Sequence, residues 1–144
     1  MSNRNPNQSL PASGADLITD RKYKPDALRA VGVLRRAKPW RGTPDERLAK
    51  LRACSEQLSA IYGVHSPTVV FAPGALPMWE PELNVIQLDR LSVVTFLHLF
   101  CCLRGMKPRE RFAWSLSLFR RCFPVSFARC TFEGLWLRNA NATH

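Results

Sequence analysis

Leu91-Ser92-Val93-Val94-Thr95-Phe96-Leu97-His98-Leu99-Phe100-Cys101-Cys102-Leu103 is the stretch on which the reading of this chain turns. It is apolar on nearly every side of a helical wheel, so a helix here must be covered by neighbours around most of its circumference. Asp89 or Ser92 supplies an N-cap and Gly105 a stop. The run falls well short of the roughly 20 residues that a membrane span requires, and Thr95 and His98 interrupt it. It reads as a buried core helix that carries a histidine.

Upstream, Thr68-Val69-Val70-Phe71-Ala72 and Asn84-Val85-Ile86-Gln87-Leu88 read as strands, being rich in β-branched residues. Pro73-Gly74 stops the first. Between them, Pro77-Met78-Trp79-Glu80-Pro81-Glu82 reads as a loop, because two prolines oppose regular pairing. The two strands are expected to belong to a small antiparallel sheet. Thr43-Pro44-Asp45-Glu46 combines an N-cap, a proline at the first helical position and a capping-box glutamate. The helix it opens places Leu48, Leu51, Cys54, Leu58 and Ile61 on one face and ends at Gly63. A shorter helix after Pro25 turns Leu28, Val31 and Leu34 inward and Arg29, Arg35 and Arg36 outward, until Lys38-Pro39-Trp40-Arg41-Gly42 breaks it. Downstream, Pro108 opens a helix over 109–122 that stops before Phe123-Pro124, and 126–137 can hold one more. This order predicts an α+β fold, with helices packed on a small sheet. Residues 1–24 read as a disordered basic and polar arm, 25–138 as a single domain and 139–144 as a frayed tail.

Composition bounds the function classes. Among 144 residues, 46% are apolar and 10% aromatic, which excludes a wholly disordered chain, and seven glycines exclude a collagen-like one. Five cysteines, Cys54, Cys101, Cys102, Cys122 and Cys130, contain no CxxC pair, which argues against a zinc ribbon or a thioredoxin-type motif. The odd count, with no apolar core in the N-terminal stretch to mark an export signal, argues against a disulfide framework. A cytoplasmic location is therefore expected. The formal net charge is +10, unevenly spread. Residues 1–52 carry a balance of +7 and residues 104–144 of +6, whereas residues 53–103 carry −3. A near-neutral core segment lies between two basic ones.

The chemistry centres on His98. Cys102 lies four residues on, one helical turn along the same face, and such a pair suits two ligands of one tetrahedral zinc ion. By itself the pair equally describes a core histidine beside an inert cysteine.

The surrounding order adds to this. A strand, a short connection and an apolar helix bearing His-x-x-x-ligand resemble a zincin-type metallopeptidase, whose helix carries His-Glu-x-x-His. The lead-in Val93-Val94-Thr95-Phe96-Leu97 resembles what precedes that motif in the ImmA/IrrE family of zincin-like proteins. That family often places a third ligand in a Glu-x-x-Ala segment opening the next helix. Glu110-Arg111-Phe112-Ala113 matches it here, and the resemblance extends over about residues 43–124. It implies a zincin-like fold and a zinc set of His98, Cys102 and Glu110. The bland reading of Glu110 is a first-turn acid that suits the helix dipole.

The departures set the expected function. Leu99 stands where the family has the glutamate that takes a proton from zinc-bound water and passes it to the leaving amine. Leucine does neither, and such catalysis is typically worth about 10²–10⁴-fold. Cys102 replaces the second histidine and Cys101 the usual small residue before it. Glu80, Glu82, Asp89 and Glu133 are not placed by the sequence at the water. The expectation is thus a zincin-like domain without catalytic residues, holding zinc or no cofactor. It would act by binding a protein, either a regulator or an active relative. One alternative is an active peptidase with an unusual His/Cys/Glu site. Another is a nucleic-acid-binding module, in which Arg35, Arg36, Lys38 and Arg41 hold phosphates and Trp40 stacks on a base.

Overall fold

The computed structural model describes residues 23–126. The arm expected over residues 1–24 lies almost wholly outside that range, as do Cys130, Glu133, all but the first residue of the expected helix 126–137 and the tail 139–144. The described chain runs α1 (Pro25–Arg36), α2 (Pro44–Tyr62), β1 (Thr68–Phe71), β2 (Met78–Glu80), β3 (Val85–Leu88), α3 (Val93–Leu103) and α4 (Pro108–Cys122).

Local signals fix the helix ends. The Thr43 side chain accepts the Glu46 N–H at 3.2 Å and Glu46 Oε1 accepts the Thr43 N–H at 2.8 Å, so two orphan donors of α2 are satisfied at once. Gly63, at φ 65°, closes the same helix in the left-handed region where a side chain is disfavoured. Ser92 caps α3 by accepting the Thr95 N–H.

The sheet departs from the expected antiparallel pair. It is mixed, in the order β1-β3-β2, with β1 parallel and β2 antiparallel to β3. The segment read as a loop contains β2. Pro77 and Pro81 flank this three-residue strand without entering it, and β2 lies at an edge, where a missing N–H is tolerated. Residues 81–84 turn the chain back, with Asn84 at φ 52°, a conformation asparagine adopts more readily than most residues. Two reversals bring β3 alongside β1 in the same direction. Val69 pairs with Ile86, Phe71 with Leu88 and Trp79 with Ile86. These five share one face, where Val69, Ile86 and Leu88 are fully buried.

The helices cover that face. α3 packs beneath β2 and β3, α2 packs against β1, α4 against α3, and α1 against both α2 and α4. Trp114 of α4 is completely buried at the centre. Phe100 stacks on it at 6.1 Å, Tyr62 meets it edge-on at 5.9 Å, and its Nε1–H donates to the Tyr62 hydroxyl at 2.9 Å. The indole thus fills volume without losing its hydrogen bond, as burial of tryptophan requires. The Arg104 guanidinium lies over the Tyr62 ring, 3.7 Å from its centroid, and 5.3 Å from that of Trp114.

Candidate functional site

α3 carries His98 into the interior. Its ring is 2% exposed and packs against Phe112 of α4, with centroids 5.3 Å apart and planes inclined at 46°. Leu99, at the position where the resemblance expected a glutamate, is 5% exposed and belongs to the core, as does Cys101. The strongly apolar sequence of α3 dictates this outcome, because sheet and α4 together leave it little open surface.

Cys102 follows on the last turn and is half-buried. Its Sγ–H points back along the helix, donating to the His98 carbonyl oxygen at 3.8 Å. Burial raises its thiol pKa, opposed by the nearby Arg111 guanidinium. It is therefore a thiol near neutral pH in the metal-free protein. Burial pushes Cys101 further in the same direction.

Glu110 lies on the exposed first turn of α4. Its Oε1 accepts the Lys107 backbone N–H at 3.1 Å, so the carboxylate closes its own helix N-terminus. The three residues expected as ligands thus have three different settings: aromatic packing, a backbone carbonyl and a helix cap. Among the described residues, no three His, Cys, Asp or Glu side chains are grouped so as to hold a metal ion. The donors among the described residues do not converge as zinc requires, with four ligands or three and an open position.

The five residues expected to contact nucleic acid divide between two surfaces. Arg35, Arg36, Lys38, Trp40 and Arg41 are all exposed, Trp40 by 50%. The loop itself is held firmly. Lys50 Nζ donates to the Lys38 and Arg41 carbonyls at 3.0 and 3.1 Å, and Arg47 donates to the Pro39 carbonyl at 3.0 Å. Trp40 and Phe123 meet edge to face, with ring centroids 6.4 Å apart. Arg41 borders a groove between α1 and α2, whereas Arg35 and Arg36 face a different depression between α1 and α4.

The sequence reading missed two features. Leu76 and Leu83, 61% and 75% exposed, flank the edge strand β2, and they went unnoticed because the strand itself was read as loop. Arg121 comes next to Arg35 and Arg36 across some 85 residues, for which no local pattern exists.

These features define a small α+β domain whose central helix buries a histidine. The chain matches no family model, no curated protein and no solved structure. No helix among the described residues is long and apolar enough to cross a membrane.

Proposed function

We propose that this chain is a zincin-like domain without peptidase activity, which acts by binding a protein partner. The observation that carries the reading is the burial of Leu99 and His98 in the packed interior, where a peptidase would need a carboxylate and an open metal position facing substrate. The order of helix, strand, edge strand, strand, histidine-bearing helix and following helix supports the resemblance to the zincin-like fold.

The partner surface is the β2 edge. β1 is the other edge of the sheet, but the Arg52 guanidinium from α2 donates to its Val69 carbonyl at 2.9 Å and blunts it. β2 has Leu76 before it and Leu83 after it, both largely exposed. An extended segment of a partner protein would add a strand there and cover the two leucines.

Two experiments test the proposal. The purified chain, supplemented with zinc and incubated with unstructured polypeptide, is expected to leave it intact; cleavage abolished by a chelator and by His98→Ala would refute the inactive reading. Protein capture from cell extract by the wild type is expected to be lost with Leu83→Lys, a change at an exposed position that the fold tolerates. An unchanged set of captured proteins would refute the edge assignment.

A second reading, nucleic-acid binding, is favoured by the half-exposed Trp40 between Lys38 and Arg41. It requires binding that weakens steeply with salt and with Trp40→Ala.

A further inference from the structure

The C-terminal half of α1 and the end of α4 border an open surface depression of about 570 Å³. Arg29, Arg35, Arg36 and Arg121 line it, and Gly32 forms part of its wall. Arg29 is paired with Asp26. Arg35, Arg36 and Arg121 have no carboxylate partner among the described residues, and no acidic side chain lines the depression.

Basic residues at helix C-termini commonly do no more than complement the helix dipole and point into water. Here two helices direct theirs into one concavity. Residues 29, 32 and 36 follow one another at helical spacings of three and four, so they share a face of α1. Because position 32 lacks a side chain, the Arg36 guanidinium lies over it, its Nη1 3.7 Å from where a Cβ would stand. The Cys122 thiol donates to the Leu28 carbonyl at 3.9 Å, tying the end of α4 to α1 and fixing the spacing of the two sets of cations. That thiol experiences the charges of Arg121, Arg35 and Arg36 together, an independent sign of their convergence.

Three guanidiniums without a carboxylate partner line one concavity, and an anion seated there is attracted by all three. Arginine presents a planar fork that matches phosphate oxygens two at a time. Cations from two helices across a concavity suit an anion larger than a single phosphate, and the lining offers no aromatic ring to stack on a base. We propose that this depression binds a diphosphate group, carried either by inorganic pyrophosphate or by a nucleoside diphosphate. The site is separate from the β2 edge and does not depend on the zincin-like reading.

The test is calorimetric titration of the full chain, at constant ionic strength, with pyrophosphate, orthophosphate, a nucleoside diphosphate and a short single-stranded DNA. Pyrophosphate is expected to bind at one site per chain, about tenfold or more tighter than orthophosphate. Arg35→Gln and Arg121→Gln should each weaken it by about tenfold, while Arg41→Gln, outside the depression, leaves it unchanged. Gly32→Glu, which projects a carboxylate among the cations, should abolish binding without unfolding α1, as its thermal melt will show. Equal affinity for the nucleoside diphosphate would identify the diphosphate alone as the determinant, and tighter binding would identify a nucleotide as its source. No saturable pyrophosphate binding at low salt would overturn the proposal, as would an equal loss with Arg41→Gln. DNA that binds more tightly and displaces pyrophosphate would also overturn it, assigning the arginines to a nucleic-acid backbone.

Discussion

Leu99, where the resemblance to zincin-type peptidases would place a carboxylate, has its side chain packed into the core. Restoring the motif residue therefore puts a charge into an apolar interior. Leu99→Glu is expected to cost about 3 kcal/mol or more, read as a fall in the urea midpoint, because it places a carboxylate among buried apolar side chains. A folded Leu99→Glu of unchanged stability would mean that the position opens to solvent. The cysteines supply a second expectation at this scale. Burial, with a smaller contribution from Cys122, pushes the Cys54 thiol from an ordinary 9.0 to about 12. The folded state holds its proton more tightly than the unfolded one, so the stabilisation is fully present below about pH 9 and is lost as pH rises toward 12. Stability should fall over that window by up to about 1.4 kcal/mol per pH unit for this one group. Urea titrations at stepped alkaline pH check it, and Cys54→Ala should flatten the slope.

At the scale of elements, two helix starts behave alike although only one was read as a cap. Thr43 and Glu46 close α2, and Glu110 closes α4 by accepting from Lys107. Glu110→Ala is accordingly expected to cost no more than about 1 kcal/mol and to leave zinc content unchanged, whereas a ligand role would make zinc content fall. The interior end of α4 is different. Trp114→Phe removes the donor to the Tyr62 hydroxyl and part of the volume that Phe100 stacks on, and about 1–3 kcal/mol of lost stability is expected. The four described helices were legible because proline, capping residues and glycine mark their ends, and because apolar stripes, or for α3 an apolar run all round, mark what is buried. The sheet was legible only in part. β1 and β3 carry β-branched runs, but β2 has three residues between prolines, too few to show alternation, and without it the parallel pairing of β1 with β3 has no local signature. Three-dimensional convergence was less legible still. The i, i+4 spacing of His98 and Cys102 is real, yet it does not specify that the thiol bonds backwards to a carbonyl while the imidazole packs on Phe112.

On the scale of the whole molecule, the basic charge of the flanking segments separates into distinct surfaces around an apolar centre. α3 is the hub, covered by β2, β3 and α4 and carrying His98, Leu99 and Cys101 inward. A chain built around a catalytic metal would leave one side of that helix open to substrate. Here α3 is closed over by its neighbours, and the two binding surfaces proposed above, the β2 edge and the arginine-lined depression, both lie at the periphery. The most direct test is the zinc content per chain of the purified wild type and of His98→Ala, measured by mass spectrometry alongside the thermal melt of each. We expect zinc well below one per chain in both, with His98→Ala changing the melting temperature and not the metal content. About one zinc per wild-type chain, lost in His98→Ala, would contradict a histidine committed to the core and would establish a metal centre on α3.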